Sequence, residues 1–254
     1  MKSQIKGNGK YLYAIIHDRG ESSYGDIGID GNKVYSLSDG KVAAVVSDMA
    51  NGRIRPERRN IAAHQEVLKR LMQRVATPLP ISFGMIAESP QAIKKILVKN
   101  RKAFMDQLQR VGGKVEMGLR VTWDVPNIFE YFVHTHVELR VARDTFLGTH
   151  REPTQEDKIE VGRMFDRLLS EDREEYASRV EESLLPTYFE IKRNPPRNER
   201  EVMNLACLVG RQRENETAFE AAIFEAARMF DNNFTFDFNG PWAPHNFVDI
   251  ELVS

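Results

Sequence analysis

The strictest pattern in this chain is an alternation of apolar and polar side chains over residues 113–124, which read GKVEMGLRVTWD. Successive side chains of a β-strand point to opposite faces of a sheet, so a period of two predicts a strand with one buried face. The apolar face carries Val115, Met117, Leu119, Val121 and Trp123. Glu116, Arg120 and Thr122 fall on the opposite face.

β-Branched and aromatic residues predict further strands on both sides of this segment. In the first half these strands cover residues 10–16, 41–49 and 79–86, and an Asp-Gly pair at 30–31 indicates a hairpin turn. In the second half they cover residues 201–210, 234–238 and 247–253.

Apolar residues at spacings of three and four predict the helices. One runs from Ile61 to Val75, and another begins with Ser89 as its N-cap and ends at Gly112-Gly113. Residues 127–183 are mostly helical, with a break near GTHREPT and a new helix opened by Pro153, and residues 215–230 form a last helix.

This order predicts an α+β protein of two domains, residues 1–112 and 113–254. Each domain is expected to be a modified ferredoxin-like antiparallel sheet with helices packed on one face, and the second domain carries a helical insertion.

The chain closes on FNGPWAPHNFVDIEL, where the alternating strand containing Phe234 leads through NGPWAPHN into a strand containing Ile250 and Leu252. Two prolines lower the entropy of the unfolded connection, and burial of Trp242 is expected to anchor it. The sequence therefore predicts a stiff corner between two strands.

Composition limits the classes of function. Apolar residues make up 41% of the chain, and 36 basic residues balance 37 acidic ones to a net charge of −1. That balance argues against a dedicated nucleic-acid binder or a binder of acidic membranes, because either needs a basic excess. A single cysteine, Cys207 in the apolar run NLACLVG, excludes an intramolecular disulfide and favours a buried structural thiol. We expect no cofactor and no membrane span, and a cytoplasmic location.

The candidate catalytic groups compete with structural explanations. His134 and Glu138 have helical i, i+4 spacing and are the best fragment of a metal site, but no single conformation aligns His136 with both. His64 lies beside an apolar helical stripe, where a hydrogen-bonded, half-buried histidine is the simpler interpretation. The sequence neighbours His17, Asp18, Ser22 and Ser23 sketch a hydrolytic constellation, although such a site is recognised by geometry and not by adjacency.

Four arginines precede the first helix, namely Arg53, Arg55, Arg58 and Arg59. They are compatible with a solvated face, an anion site or a docking patch for an acidic partner.

Five stretches together resemble the GvpF/GvpL family of gas vesicle proteins. In chain order they are YLYAII, IRPERRNIAAHQEVLKRL, LPISFGMI, GGKVEMGLRVTWD and GPWAPHNFVDIEL. The resemblance covers nearly the whole chain, and the length and Ala243 favour the F type. One departure is His245, where family members usually carry a tyrosine.

The resemblance implies a two-domain α+β protein with ferredoxin-like features and a non-enzymatic role in building gas vesicles. The implied partners are the small hydrophobic shell protein GvpA and other accessory proteins, and the implied role is that of an accessory or minor structural protein that supports shell nucleation or growth. The residues expected to bind the partner are Arg53, Arg55, Arg58, Arg59, Trp242, His245 and Phe247. A metal-dependent or hydrolytic enzyme is the alternative, with His134 and Glu138 or His17 and Asp18 as its parts.

Overall fold

The computed structural model describes residues 9–20, 22–49, 52–148 and 154–250. Packing divides the chain into two compact units. The first consists of Met1–Glu116, Gly210–Gln212 and Gly240–Ser254, and the second of Met117–Val209 and Arg213–Asn239. The described residues 240–250 therefore group with the first unit, whereas the sequence-based domain 113–254 includes them.

The first unit contains an antiparallel sheet. Its strands are β1 (Gly9–His17), β2 (Ser23–Gly25), β3 (Val34–Ser38), β4 (Val42–Met49), β5 (Leu79–Pro80) and β6 (Ile86–Ala87). The order is β2-β3-β4-β1-β5, and β6 also pairs with β1. Residues 11–15 of β1 are fully buried, so side chains on both faces of this central strand lie in the core.

The Asp-Gly pair lies in the connection that leads into the β2–β3 pairing. Asp30 and Gly31 both adopt positive φ, at 57° and 74°, which is the conformation that a tight turn of this kind demands. The predicted turn is confirmed.

The helices of the first unit are α1 (Arg58–Arg74), α2 (Pro90–Lys99) and α3 (Arg101–Val111). The Ser89 hydroxyl accepts a hydrogen bond from the Ala92 amide at 3.1 Å, as expected of an N-cap. The single helix expected from Ser89 to Val111 is wrong, because the backbone leaves helical geometry at Asn100. The strand expected over residues 79–86 is also wrong, since only the two short bridges β5 and β6 flank a non-strand segment.

Most residues of the second sheet belong to the second unit. Its strands are β7 (Lys114–Trp123), β8 (Glu190–Arg193), β9 (Glu201–Gly210) and β10 (Phe234–Trp242), in the order β10-β7-β9-β8. The alternation in β7 is confirmed, because Val115, Met117, Leu119, Val121 and Trp123 are all at most 2% exposed.

The second unit also carries four helices in its described part. They are α4 (Ile128–Thr135), α5 (Val137–Gly148), α6 (Gln155–Leu184) and α7 (Arg213–Ala227). A capping box fixes the start of α6, where the Thr154 hydroxyl accepts from the Asp157 amide and the Asp157 carboxylate accepts from the Thr154 amide. Pro153, expected to open this helix, lies outside the described residues.

The C-terminal corner differs from the sequence-based expectation. Strand β10 continues past Phe238 through Gly240 and Pro241 to Trp242, so half of the expected connection is itself strand. A short 3-10 turn follows at His245–Phe247, and residues 248–250 are not in a strand. The final strand is therefore wrong for its described part, and Leu252 lies outside the described residues.

Candidate partner-binding surfaces

The arginine segment, defined here as Arg53, Arg55, Arg58 and Arg59, is exposed along its whole length. Arg59 pairs with Glu57 at 3.0 Å while its side chain stays 73% exposed. Within the described part of the chain no carboxylate lies in ion-pair distance of Arg53, Arg55 or Arg58. The segment thus presents three uncompensated positive charges to solvent.

Two hydrogen bonds from the buried Asn60 hold this segment against the start of α1. The Asn60 side-chain Nδ2 donates to the Arg55 carbonyl at 3.1 Å, and the Asn60 backbone amide donates to the Glu57 carbonyl at 2.9 Å. The arginines are therefore displayed on an ordered turn.

The C-terminal stretch, residues 240–250, lies in the same unit and alternates between buried and exposed groups. Ala243 and Phe247 are buried, at 4% and 0% exposure, whereas Trp242 is 44% exposed and His245 is also exposed. The expected burial of Trp242 is wrong. Phe247, expected to contact a partner, lies below the surface and anchors the stretch.

A single carboxylate clamps this stretch to β7. Glu116 is 8% exposed, and its Oε2 and Oε1 accept hydrogen bonds from the backbone amide and the side-chain amide of Asn246, at 2.8 and 2.7 Å. The Arg110 guanidinium adds a 3.3 Å hydrogen bond to the Phe247 carbonyl. Hydrogen bonds to a charged acceptor are about twice as strong as neutral ones, so Glu116 holds Trp242 and His245 in place on the surface.

The Glu116 clamp was not found from the sequence. The period-two pattern predicted that Glu116 and Arg120 lie on the polar face of β7. Arg120 is exposed there, but the pattern did not predict that Glu116 is buried against Asn246. Asn246 lies 130 positions away in sequence, and no local signal connects the two residues.

His64 has a structural role close to this surface. It is 1% exposed, and its Nδ1 lies 2.8 Å from the Tyr11 hydroxyl, so it is buried more deeply than expected. Its ring also packs within 6 Å of Tyr11, Tyr13 and Phe83. Burial lowers the pKa of His64 to about 4; nearby His245 acts in the same direction, and the Ile81 backbone opposes both. A neutral imidazole is therefore part of this core.

The candidate catalytic groups are not brought together. His134 is exposed, while Glu138 binds Arg167 at 2.8 Å, and His136 instead lies 3.1 Å from Asp172 and stacks on Phe132. Among the described residues no group of three His, Cys, Asp or Glu side chains is placed to hold a metal ion.

The other two sequence candidates are equally separate. No hydrogen bond joins His17, Asp18, Ser22 and Ser23 in the described residues; the Asp18 carboxylate instead accepts the Gly20 amide at 2.9 Å. Cys207 is 0% exposed on β9, which confirms the structural interpretation of the thiol. Over the same residues, none of the helices combines the length and the apolar character that crossing a membrane requires.

Comparison with known proteins finds relatives along nearly the whole length of this chain. The model of the family described as gas vesicle synthesis protein GvpL/GvpF matches residues 9–249. Gas vesicle protein F of Nostoc sp. is 25% identical over 245 residues, which cover 96% of this chain and 99% of that protein. Gas vesicle protein F2 of Halobacterium salinarum is 28% identical over 247 residues, with 95% and 93% covered.

Solved structures agree with these sequence relatives. The crystal structure of GvpF from Anabaena sp. is similar with a TM-score of 0.81 and 25% identity, and covers 96% of this chain and 100% of that one. GvpF from Microcystis aeruginosa gives a TM-score of 0.78 at 20% identity over the same shares. The mixed helix and antiparallel-sheet fold is thereby confirmed.

Proposed function

Because this chain belongs to the GvpL/GvpF family of gas vesicle synthesis proteins, we propose that it is a non-enzymatic assembly factor that binds the small shell protein GvpA. In this role it supports nucleation or growth of the gas vesicle shell, together with other accessory proteins. The match of the family model along nearly the whole chain carries the proposal, and the F type is favoured because most of the related proteins bear that name.

The arginine segment and the C-terminal stretch supply the contact surface in this proposal. A large aromatic ring and guanidinium groups are the side chains most enriched at the energetic centres of protein interfaces. Trp242 is 44% exposed although large apolar side chains are usually withdrawn from water, and the arginines carry charge with little internal compensation. Trp242, His245 and the four arginines are the proposed contact residues, with Phe247 as the buried support.

The physical reason for such a partner lies in the chemistry of a shell subunit. A subunit that assembles through apolar surface aggregates unless that surface is covered before incorporation. An exposed tryptophan can cover apolar surface, while cations around it set orientation and the rate of encounter. We therefore propose a cytoplasmic protein associated with growing gas vesicles.

Charge reversal at the arginine segment tests the proposed surface. The double variant Arg58→Glu/Arg59→Glu is expected to reduce capture of GvpA in a co-expression pull-down without changing the melting temperature, because both side chains are exposed. The matched control is Lys94→Glu/Lys95→Glu, which makes the same charge change at two exposed positions on α2 of the same unit.

Three outcomes separate the surface from the function. Loss of capture in the arginine variant alone supports both the surface and the partner. If both variants capture as much GvpA as the unmodified protein does, the arginine segment is not part of the interface, and binding of GvpA itself is still supported. Absence of capture even by the unmodified protein, in cells that make vesicles, contradicts direct binding of GvpA.

A further inference from the structure

The order β10-β7-β9-β8 makes β10 and β8 the two edges of the second sheet. An edge strand presents unpaired N–H and C=O groups, and proteins usually protect such edges with charges, prolines or very short strands. Strand β8 is protected in this way, because three of its four residues, Glu190–Arg193, are charged and Pro195 and Pro196 follow. In the first sheet the outermost strands β2, β5 and β6 have only two or three residues each.

Strand β10 lacks this protection over residues 234–239. It has the sequence FTFDFN there, with Asp237 as its one charged residue. That carboxylate is already paired with Arg120 of the neighbouring β7 at 2.8 Å. Among the sheet edges in the described part of the chain, β10 is therefore the one that is both long and nearly uncharged.

The backbone groups of Phe236 and Phe238 point away from the sheet. The Asp124 amide donates to the Asn233 carbonyl at 2.7 Å, which directs the backbone of Asn233 towards β7. Successive residues of a strand present their backbone groups to opposite sides, so every second residue after Asn233 also faces β7. Phe236 and Phe238 then face outward, where the sheet order places no strand.

Helix α7 adds an apolar wall beside this edge. Between ring centres, Phe224 lies 6.2 Å from Phe238, and Phe230 lies 5.1 Å from Phe236. Phe224 is 61% exposed and Phe238 is 37% exposed, so both rings stay partly in water. A strand added to β10 would cover these rings with every second side chain, because alternate side chains of a strand share one face.

Charge around the edge favours a basic segment. The second unit holds 15 basic and 24 acidic residues, a net charge of −9, whereas the first unit holds 21 and 13, a net charge of +8. On α7, Glu220 lies one turn before Phe224 and therefore on the same side of the helix. Within the described residues no cation lies in ion-pair distance of Glu220. A lysine or arginine at one end of an incoming segment would meet this carboxylate.

A second copy of this chain fits the edge less well. Two copies joined through β10 would bring together two units of net charge −9, which repel each other. Phe224 and Phe238 together expose about the area of one complete aromatic side chain, roughly 150–250 Å². A symmetric pair would double this to roughly 300–500 Å², well below the roughly 1,200–2,000 Å² buried in stable interfaces.

We propose that the outer edge of β10 binds an extended segment of a partner protein, with apolar side chains at alternate positions and a basic residue at one end. The segment pairs antiparallel with the backbone of Phe236 and Phe238, as β7 does on the other side, and covers the rings of Phe224 and Phe238. In this β-augmentation the main-chain hydrogen bonds supply affinity, so a small apolar area is sufficient. The proposal does not depend on binding of GvpA.

The test is a titration of a fluorescently labelled peptide, Lys-Lys-Val-Thr-Val-Thr-Val-Thr-amide, with the full-length protein. Its anisotropy is expected to rise to saturation. In an antiparallel pair the valines that cover the rings also direct their amides towards β10. N-methylation of the valines should therefore abolish binding, whereas N-methylation of the threonines, the matched control, should leave it. Replacing the two lysines by glutamates should weaken binding about tenfold.

Two variants of the protein locate the site. Phe238→Lys places a charge on the edge strand and should weaken binding about tenfold or more, because edge lysines oppose strand pairing. Phe224→Ser removes a 61% exposed ring from α7 and should also weaken binding, with less risk to the fold. The matched control is Thr235→Lys, which adds the same charge on the opposite face of β10 and should change the affinity less than about twofold. Melting temperatures verify that each variant is folded.

Absence of saturable binding overturns the proposal, and so does binding that survives methylation of the valines. Full affinity in both Phe238→Lys and Phe224→Ser would place the peptide elsewhere on the protein and would also contradict it. Sedimentation of the unmodified protein tests the other occupant. Concentration-dependent dimers that Phe238→Lys dissociates would show that a second copy covers this edge instead of a partner.

Discussion

The two tryptophans of this chain both lie at the ends of strands, yet their surroundings are opposite. Trp123 ends β7 at 1% exposure, with Phe132 at 5.4 Å between ring centres, whereas Trp242 ends β10 at 44% exposure. The first follows four alternating apolar residues, and the second follows a Gly-Pro pair on the edge strand of the same sheet order. The comparison shows that a tryptophan at a strand end is buried in the core when its strand lies inside the sheet, and is exposed when its strand forms the edge.

The largest expected effect comes from truncating the buried ring. Trp123→Ala should reduce the free energy of unfolding by about 3–5 kcal/mol, because it removes a large packed side chain and leaves a cavity. Denaturant unfolding followed by circular dichroism measures the loss. Trp123→Phe is the control: it keeps an aromatic ring and removes a buried indole N–H that has no hydrogen-bond partner, so its cost should be much smaller. Equal costs for the two variants would contradict the packing argument.

The second effect extends the comparison to histidines. The pKa of His64 is about 4 in the folded protein and 6.5 in the unfolded chain, so between these values the unfolded chain binds more protons. Stability carried by neutral His64 is therefore complete above pH 6.5 and falls by about 3 kcal/mol as the pH drops towards 4.

His64→Gln removes this titration, and the fall in stability from pH 7 to pH 4 should be smaller in that variant than in the unmodified protein. His134→Gln makes the same substitution at an exposed position and serves as the control for the loss of a histidine side chain. Parallel stability curves for the unmodified protein and His64→Gln would show that His64 is not held neutral.

Sequence patterns predicted the elements whose signals are local. The alternation of β7, the Ser89 cap and the Asp-Gly turn at 30–31 each depend on neighbours within a few positions, and all three are confirmed. These predictions succeeded because backbone conformation and one-sided burial depend on residues within a few positions of each other in the sequence.

Features that depend on distant partners escaped the same reasoning. Burial of Trp242 was expected because its side chain is large. Whether a strand residue is buried depends on the elements that pack over it, and Trp242 ends β10, which is an edge strand. The Glu116–Asn246 clamp joins residues far apart in sequence, and so do the hydrogen bonds from Arg173 to the backbone carbonyls of residues 198, 199 and 201, so no spacing rule predicts them. The expected final strand failed for its described part because alternation of Val248 and Ile250 cannot supply a neighbouring strand to pair with.

The third prediction tests what holds the exposed tryptophan in place. Glu116→Gln removes the charge from the acceptor of two hydrogen bonds and should reduce the free energy of unfolding by about 1–2 kcal/mol. In a Trp123→Phe background, Trp242 is the only tryptophan, and its fluorescence should become more accessible to acrylamide when the clamp is weakened. Glu66→Gln breaks an exposed pair with Arg70 on α1 and should change neither quantity. Unchanged quenching in Glu116→Gln would mean that the backbone alone positions Trp242.

The last prediction concerns the exposed ring itself. Trp242→Ala should reduce the free energy of unfolding by about 1–2 kcal/mol, less than Trp123→Ala, because a side chain that stays 44% exposed in the folded state buries only part of its surface on folding. The same variant should lose capture of GvpA, since an exposed aromatic contributes its burial energy only on binding. A loss of several kcal/mol would make Trp242 a core residue like Trp123 and erase the contrast between the two strand ends. A loss of no more than about 2 kcal/mol with normal capture would keep that contrast, and would place the GvpA contact on the arginine segment alone.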